Sequence, residues 1–345
     1  MSLRILHAPA DVGGNAFQLS RAERELGHHS DVAVFAAGPF GYEADIRFDL
    51  EHLPVWRRFA LRARFLRSAL RDYDVFHYNF GQSLMSVSLR GHLLNELRLV
   101  RRAGKRIIVT YQGCDVRPQS ACCCTSDRCA REDAMRGPRA ASFLRVADRV
   151  FYLNPDLRRW LPGASFLPYA NVDPRTISPA PPPDHDEITV LHAPTNREVK
   201  GTADVIAAVD SLRAEGAPVR LELVERVPHE EALRCIAATD IVIDQLRIGW
   251  YGGIAVEAMA IGRPVLCYIR EEDPDDNPFG SELPIVRTDA GRLASDLRGL
   301  IDARERRLEI AAAGRRFVER HHDPRAVART VLAGLGPPPT PGSPT

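Results

Sequence analysis

The residues best suited to chemistry lie in a glycine-rich loop in the second half of the chain. The apolar run Ile241–Ile243 predicts a buried strand, and a helical stretch begins after Gly252 and Gly253. The start of a helix offers free N–H groups and a positive dipole end, which suit a phosphate. Glu257 lies in the first turn or so of this helix, where a carboxylate can accept hydrogen bonds from a ribose diol. The spacing therefore predicts a nucleotide site at Gly252, Gly253 and Glu257.

A second group of polar residues precedes another helix. The loop over 195–202 follows an apolar strand and contains Asn196, Arg197 and Lys200. Two cations beside the N-terminal end of a helix form a good site for a diphosphate. The alternative is that both charges are solvated in a loop.

The first strand of the chain is followed by a loop with a glycine pair. Gly13 and Gly14 allow the backbone to approach a ligand closely, and Asn15 comes directly after them. The loop lacks the G-x-G-x-x-G pattern of dinucleotide-binding proteins, which argues against an NAD enzyme. The alternative for the glycine pair is a tight turn without a ligand.

Three polar residues follow the predicted strand over 106–111, namely Gln112, Asp115 and Arg117. Open α/β sheets bind ligands at the carboxyl edge of their strands, which is where these side chains are expected. Gln112 can hydrogen-bond a sugar hydroxyl but cannot titrate near neutral pH. Asp115 and Arg117 belong either to this site or to an ordinary surface pair.

Five of the seven cysteines lie between Cys114 and Cys129. Thiolates bind zinc tetrahedrally, and Cys114, Cys122, Cys124 and Cys129 could supply four ligands. The segment contains no C-x-x-C pair and no iron–sulfur spacing. Three alternatives stay open here: a structural zinc site, a disulfide or redox pair, and a plain loop with free thiols.

Strands alternate with helices along the chain, which predicts two α/β domains with parallel sheets. The predicted segments are a first domain over 1–175, a proline-rich linker over 176–187, a second domain over 188–322, a last helix over 323–336 and a disordered low-complexity tail over 337–345. A long helix is also predicted over 84–103.

The helix predicted over 55–73 is both basic and amphipathic. Its apolar stripe includes Trp56 and Phe59, and six arginines occupy much of the remaining surface. Such a helix either lies on an anionic membrane or packs on its own domain.

The run G-W-Y-G-G-I-A-V-E-A-M-A-I-G-R-P-V, which begins at Gly249, resembles the donor-binding segment of the retaining glycosyltransferases of family four. That family usually carries two glutamates separated by seven residues, followed by Ala-Met-Ala-x-Gly-x-Pro-Val. Glu257 matches the second glutamate, and Gly249 stands at the position of the first. The segment from Gln112 to Arg117 is similar to the family's His-Gly-x-Asp-x-Arg motif, with Gln112 in place of the histidine.

This resemblance implies a GT-B-like fold, in which two Rossmann-like domains face each other across a cleft and the C-terminal helix crosses back onto the first domain. It also implies a hexosyltransferase-type enzyme. Such an enzyme moves a sugar from a nucleotide-diphosphate sugar to a hydroxyl group of a glycan, a lipid-linked molecule or a natural product. Retention of configuration is expected, and neither a cofactor nor a catalytic metal is required.

The resemblance also implies roles for individual residues. Arg197 and Lys200 would stabilise the departing diphosphate, with Gln112 as the third catalytic residue. The implied donor-binding residues are Gly13, Gly14, Asn196, Gly252, Gly253 and Glu257. The implied acceptor or sugar-binding residues are Asn15, Asp115, Arg117, Trp250 and Tyr251, although the two aromatic rings could also only pack the loop.

Two other functions stay open at this point. A non-catalytic nucleotide- or glycan-binding subunit of a transferase is favoured by Gly249, because the first glutamate of the pair is missing. A nucleotide-sugar 2-epimerase shares the architecture, but it would need further acid–base groups, and Gln112 weakens that case.

The composition of the chain argues against several other classes of protein. The formal net charge of +1 gives no reason to expect a nucleic-acid partner. No apolar run approaches the roughly 20 residues of a membrane span, and the N-terminus lacks a signal-peptide core. We therefore expect a cytoplasmic protein, with the helix over 55–73 as a candidate peripheral contact with the inner face of the membrane.

Overall fold

The computed structural model describes residues 2–36, 38, 40–85, 87–89, 92–122, 124–183 and 186–336. It divides the chain into two compact units. The first contains the residues up to Gln119, Ser126–Asn171 and the segment from Pro324 onward. The second contains Ser120–Thr125 and Val172–Asp323. The predicted tail over 337–345 and Cys123 lie outside the described residues.

The strands fall into two parallel sheets and one small antiparallel pair. In chain order they are β1 (Arg4–Ala8), β2 (His29–Val34), β3 (Ile46–Arg47), β4 (Val75–Asn79), β5 (Val87–Leu89), β6 (His92–Leu94), β7 (Arg106–Tyr111), β8 (Arg149–Tyr152), β9 (Ser165–Phe166), β10 (Ile188–His192), β11 (Val219–Leu223), β12 (Ile241–Ile243), β13 (Val265–Cys267) and β14 (Val286–Arg287).

The helices connect and cover these strands. In chain order they are α1 (Asn15–Glu25), α2 (Val55–Asp72), α3 (Leu97–Arg102), α4 (Asp127–Leu144), α5 (Arg197–Lys200), α6 (Thr202–Ala214), α7 (His229–Ala238), α8 (Gly253–Ile261), α9 (Leu293–Ile301), α10 (Arg304–His321) and α11 (Pro324–Leu332). None of the helices within the described ranges combines the length and the hydropathy of a membrane span.

The first unit is built on a parallel sheet of seven strands in the order β3-β2-β1-β4-β7-β8-β9. Its central strands are apolar on both faces, because helices cover both sides of a parallel sheet. One face packs on α2 and α4, and its core includes Phe76, Tyr78 and Phe143. The order places the carboxyl ends of β1, β4 and β7 side by side, so the loops after them share one edge.

The last helix, α11, belongs to the first unit. Val327, Ala328 and Val331 are buried in the same core cluster as Ile5 of β1 and Leu19 of α1. The C-terminal helix therefore returns to the first domain, which confirms the prediction.

The long helix predicted over 84–103 is wrong. Among the described residues of this segment only Leu97–Arg102 is helical, and the antiparallel strands β5 and β6 precede it. The buried carboxylate of Glu96 accepts hydrogen bonds from the N–H groups of Leu84 at 2.8 Å and Met85 at 2.9 Å. Those two donors are thereby committed to a side chain, so the segment begins as a turn rather than as the first turn of a helix.

The second unit has a parallel sheet of five strands in the order β11-β10-β12-β13-β14. Val190, Ile243 and Leu266, from its three central strands, lie in a buried core with α6 and α9. Two parallel-sheet α/β domains are thus confirmed as the fold class. The carboxyl ends of β10, β12 and β13 are adjacent, and the loops after them carry Lys200, Asp244 and Arg270.

The proline-rich segment predicted as a linker is held against the second unit. Arg315 of α10 donates to the carbonyl of Ile177 and to that of Ala260, both at 2.7 Å. Arg263 donates to the carbonyl of Pro181 at 2.8 Å. Prolines cannot offer N–H donors, so arginine donors to the free carbonyls are a natural way to fix such a segment.

We expect Val331→Ala to lower the free energy of unfolding by about 2 kcal/mol, because it removes two buried methyl groups from the core that α11 completes. Chemical denaturation of the full chain measures this change. Arg329→Ala on the exposed side of the same helix is the matched control and should change the value by less than about 0.5 kcal/mol. Equal losses in both variants would contradict the packing role of α11.

Candidate active site

One carboxylate organises the carboxyl edge of the second sheet. Asp244 follows β12 directly, and its buried side chain forms an ion pair with the ammonium group of Lys200. Its second oxygen accepts a hydrogen bond from the N–H of Gly252 at 2.5 Å. Lys200 at the end of α5 and the residue that precedes α8 are therefore held beside the same side chain.

The start of α8 forms a positive site together with Lys200. No side chain caps this helix end, and its first turn contains no acidic residue. A Cβ atom at Gly252 would lie 3.3 Å from the Lys200 Nζ atom. The ammonium group thus lies at the N-terminal end of the helix, where the two positive potentials add. This is the arrangement that an anionic phosphate group requires.

Backbone hydrogen bonds hold the loop between Asp244 and Gly252. The N–H of Leu246 donates to the carbonyl of Lys200 at 3.2 Å. On the other side, Tyr268 donates to Gln245 at 2.8 Å and Arg270 donates to Gly249 at 2.9 Å. The glycine-rich loop is therefore fixed between the segments that follow β10 and β13.

Glu257, the predicted ribose-binding residue, lies on α8 and is buried. Its Oε1 atom lies 2.8 Å from Nε2 of His229 at the start of α7. Burial lowers the pKa of His229, but the hydrogen bond and the negative charge of Glu257 outweigh burial, and the pKa is raised above its ordinary value of 6.5. His229 therefore favours its charged form and holds the Glu257 carboxylate in one orientation.

Arg197 and Asn196 have local partners as well. Arg197 forms a two-point ion pair with Glu225, at 2.9 Å and 2.5 Å, and its side chain remains 58% exposed. The Oδ1 atom of Asn196 accepts from the N–H of Val199 at 3.0 Å and so caps α5. Of the two predicted cations, only Lys200 lies beside the start of α8.

In this chain a side chain has little room at Gly249, the position at which the resembling family has its first glutamate. Gly249 has a φ of +84°, which disfavours any residue with a Cβ atom. A Cβ atom there would lie 2.9 Å from Cβ and 3.3 Å from Nε of Arg270. Arg270 is half-buried and forms no side-chain hydrogen bond or ion pair with the described residues. A cation therefore occupies the space beside the position at which the resembling family has a carboxylate.

Trp250 and Tyr251 are buried, with exposed fractions of 1% and 0%. The rings pack on each other with centroids 4.6 Å apart, and the Tyr251 hydroxyl lies 3.1 Å from Nε2 of His322. Trp250 also stacks with Phe279. Neither ring offers a face to a sugar in this structure, so the expectation that they bind it is replaced by a packing role.

At the carboxyl edge of the first sheet, two of the three predicted polar residues have structural partners. Arg117 forms a buried two-point ion pair with Asp156, at 2.7 Å and 2.8 Å. Asp115 accepts from the N–H groups of Gln112 at 2.9 Å and Gly113 at 2.7 Å. Burial raises the pKa of Asp115 to about 6, against the lowering effect of these hydrogen bonds. The Gln112 Nε2 atom is buried and has no hydrogen-bond partner among the described residues.

The loop after β1 leads into α1 through a left-handed turn. Gly13 and Gly14 have φ values of +69° and +71°. Asp11 caps the helix by accepting from the N–H groups of Ala16 and Phe17, at 2.9 Å and 3.2 Å. Asn15 is buried, and its Oδ1 atom accepts from the N–H of Ala170 at 2.7 Å. Asn15 is therefore engaged within the fold, and the close approach of Gly13 and Gly14 to a ligand stays a prediction.

The cysteine cluster provides no metal centre among the described residues. Cys114, Cys122, Cys124 and Cys129 form no disulfide with one another. Cys129 is buried, and its sulfur accepts from Arg136 at 2.9 Å. Within the described ranges, only His7, Glu23 and His77 bring three potential ligand atoms close together, within 4.8 Å of one another. Two of these three residues are hydrogen-bonded to each other, with Nε2 of His7 at 2.8 Å from Oε2 of Glu23.

The sequence reasoning missed the partners Asp244, His229 and Arg270. Asp244 had a usable signal, because it is the first polar residue after a buried strand that points to the ligand edge of the sheet. The signal for His229 was weak, since a histidine at the start of a helix is common on protein surfaces. Arg270 had none, because its position beside Gly249 depends on the pairing of the strands.

Comparisons with known proteins bear on the family and the fold. Residues 197–333 match the model of a protein family described as glycosyl transferase-like. Sucrose-phosphate synthase from Thermosynechococcus elongatus superposes with a TM-score of 0.63 at 18% identity, covering 96% of this chain and 97% of that one. The fold is that of the GT-B glycosyltransferases. No curated protein matches the chain significantly by sequence.

Two further structures have the same fold. HepE from Anabaena, solved in complex with UDP-glucose, has a TM-score of 0.62 at 14% identity, with 96% of this chain and 99% of that chain covered. A putative UDP-N-acetylglucosamine 2-epimerase from Listeria monocytogenes has a TM-score of 0.57 at 16% identity, with 97% and 96% covered. At these identities the likeness establishes the fold, and the reaction has to be argued from the site.

We expect Gly249→Ala to destabilise the chain more than Gly216→Ala. Both glycines have positive φ values, of +84° and +86°, so both variants carry a backbone cost of about 1 kcal/mol. A Cβ atom at Gly216 meets nothing within 4 Å, whereas one at Gly249 contacts Arg270. Urea unfolding of the two variants measures the difference. Equal losses would mean that Arg270 does not close this position.

The pair of His229 and Glu257 predicts a pH-dependent contribution to stability. Because the folded-state pKa of His229 is raised, this contribution is fully present below pH 6.5 and is lost as the pH rises through the folded-state pKa. The difference in unfolding free energy between wild type and His229→Gln should therefore shrink from pH 6 to pH 9, as measured by urea titrations at each pH. In the background of Glu257→Gln this pH dependence should disappear; its persistence would assign it to another group.

Proposed function

We propose that this protein is a glycosyltransferase that moves a sugar from a nucleotide-diphosphate sugar to a hydroxyl acceptor. The observation that carries the proposal is the Lys200 ammonium group at the start of α8, a helix end with no side-chain cap and no acidic residue in its first turn. The Asp244 carboxylate holds Lys200 and the N–H of Gly252 at this point. A diphosphate is the donor group that this combination of charge and N–H groups fits best.

Lys200 and the start of α8 would act on the departing diphosphate. Negative charge grows on the leaving phosphate as the bond to the sugar breaks, and donors held in advance stabilise that charge. Asp244 fixes the ammonium group and occupies one of its three hydrogens, which leaves donors for phosphate oxygens. Following the family resemblance, the donor phosphate would accept the proton of the attacking hydroxyl, and the configuration at the sugar would be retained.

Glu257 and Arg197 would complete the donor site. Glu257 would accept hydrogen bonds from the ribose hydroxyls, with His229 holding it from behind. Arg197 would be a second cation for the diphosphate after exchanging Glu225 for a phosphate. Because that ion pair is exposed, breaking it costs little. Asn196 would keep its role as the cap that orients α5.

In the first unit, Gln112 is the strongest candidate for a residue that binds the acceptor. Its side-chain amide is buried and has no partner among the described residues, so it retains a donor for a sugar hydroxyl. Gly13 and Gly14 remain candidates for backbone contacts to phosphate. Asp115 and Arg117 would shape this region through their contacts rather than by binding the acceptor themselves.

The base and the sugar of the donor are further parts of the proposal. HepE was solved with UDP-glucose, which favours a uridine donor for this related fold. Arg270 beside Gly249 favours a donor sugar with an anionic substituent, such as a uronic acid, because a half-buried guanidinium group gains most from a carboxylate partner. Rates with UDP-glucuronate and UDP-glucose, in wild type and Arg270→Gln, test this preference.

Two rival functions can be separated from transfer by products. A 2-epimerase would convert a nucleotide sugar to its epimer without an acceptor, and its shared fold is the reason to test it. A non-catalytic subunit would bind a nucleotide without consuming the donor. Free UDP that appears slowly without an acceptor and faster with one supports transfer. A new epimer, or an intact donor, would each replace the proposal with the corresponding rival.

We expect one of UDP, GDP, ADP and TDP to raise the melting temperature by a few degrees, since a ligand at about 100 times its Kd stabilises the folded state by about 2.7 kcal/mol. Lys200→Ala and Glu257→Ala should each abolish this shift. Lys105→Ala, at the only other lysine of the chain, is the matched control and should retain it. The absence of any shift in wild type at millimolar nucleotide would contradict a donor site at Lys200.

A further inference from the structure

Helix α2 begins with a cluster of large apolar side chains in water. Val55, Trp56 and Phe59 have exposed fractions of 75%, 67% and 52%. Single exposed apolar residues are common on protein surfaces, but three in one helical turn form a patch that usually marks an interaction. We call Val55, Trp56 and Phe59 the apolar turn.

The rest of the exposed side of α2 is basic. Its exposed arginines are Arg57, Arg64, Arg67 and Arg71, whereas Arg58 and Arg62 are half-buried and donate to the carbonyls of Leu53 and Leu84. Within the described ranges none of them forms an ion pair, and the guanidinium group of Arg57 lies over the Trp56 ring at 5.0 Å. The two preceding carboxylates, Asp49 and Glu51, form no ion pair with the helix either. The helix thus presents positive charge that the fold does not neutralise.

The exposed arginines of α2 lie on one side of the helix. At about 100° per residue, Arg57, Arg64, Arg67 and Arg71 fall within about 80° of one another, and Trp56 lies at the edge of this sector. Val55 and Phe59 continue the stripe that packs on the core of the first unit through Leu66 and Ala69 further along the helix. An anionic surface in contact with Trp56 would therefore also face these arginines.

A second copy of this chain fits the helix poorly. Two copies related by a twofold axis would bring the same arginines together, and the exposed side of α2 has no acidic residue before Asp72 to pair with them. An anionic bilayer offers what both parts of the surface need. Phosphate groups match the arginines, and the interface between headgroups and acyl chains is where tryptophan and other aromatic rings are enriched.

We propose that α2 is a membrane-surface helix, which binds anionic phospholipids with its arginines and inserts the apolar turn into the headgroup region. The proposal goes beyond glycosyl transfer and does not depend on it, because α2 contributes no residue to the donor site. A peripheral position would bring lipid-linked acceptors or products within the enzyme's reach.

The first test is co-sedimentation of the full chain with vesicles of phosphatidylglycerol and phosphatidylcholine in equal parts, and with phosphatidylcholine alone. We expect binding to the anionic vesicles only, and weaker binding as salt is added. The double variant Arg67→Gln/Arg71→Gln should bind about 30-fold more weakly, because each arginine near an anionic surface contributes about 1 kcal/mol. The control Arg306→Gln/Arg329→Gln has the same net charge and should bind like wild type.

Tryptophan fluorescence tests separately whether the apolar turn inserts into the membrane. Trp56 is the exposed one of the three tryptophans, so its fluorescence should shift to the blue on anionic vesicles and stay unchanged with neutral ones. Trp56→Phe should abolish the shift and retain binding, whereas Trp56→Ala/Phe59→Ala should lose most of the binding. Because all these side chains are exposed, unchanged melting temperatures will show that the variants are folded.

Three results would overturn the proposal. The first is equal binding to neutral and anionic vesicles, or none to either. The second is an equal loss of binding in the α2 variant and in its charge-matched control. The third is a concentration-dependent rise in molecular mass that Trp56→Ala/Phe59→Ala removes, since this would assign the helix to contact between copies of the chain.

Discussion

The proposed site depends on the ion pair and the hydrogen bond that the buried carboxylate of Asp244 forms. A charged group removed from water is stable only with partners, and here those partners are the Lys200 ammonium group and the N–H of Gly252. The need to satisfy one carboxylate therefore fixes a cation and a helix start side by side. We propose the same arrangement as the anion site, so that one residue would serve both the fold and the chemistry.

In the first unit, several polar side chains that were predicted to contact a substrate have partners within the fold. Asn15, Asp115 and Arg117 are polar residues at the ligand edge of a parallel sheet, where sequence reasoning expects contacts with a substrate. Each is buried and engaged with a partner within the fold instead, because loops at such an edge contain backbone N–H groups and charges that must be satisfied. Gln112 differs, since its side-chain amide has no partner among the described residues.

Gly249 and Arg270 give this protein a local feature that the fold alone does not imply. The fold is common to transferases and to a putative epimerase, so it does not decide the reaction. The space beside Gly249 holds a guanidinium group, and the backbone there has a conformation that a glutamate would adopt only with strain. The electrostatic character of this position is thus opposite to the one that the family resemblance implies.

The sequence alone determined the two α/β domains, the glycine-rich loops, Lys200 and Glu257 as donor-site candidates, and the amphipathic pattern of α2. These features depend on local periodicity and on residues next to strand ends, which short windows contain. Only the tertiary structure decided the partners, because Asp244 is 44 residues from Lys200 and His229 is 28 residues from Glu257. Burial of Trp250 and Tyr251 and the turn that replaces part of the helix predicted over 84–103 likewise depend on contacts made after the chain has folded. Spacing shows which groups could act, but desolvation and packing decide which of them are already engaged.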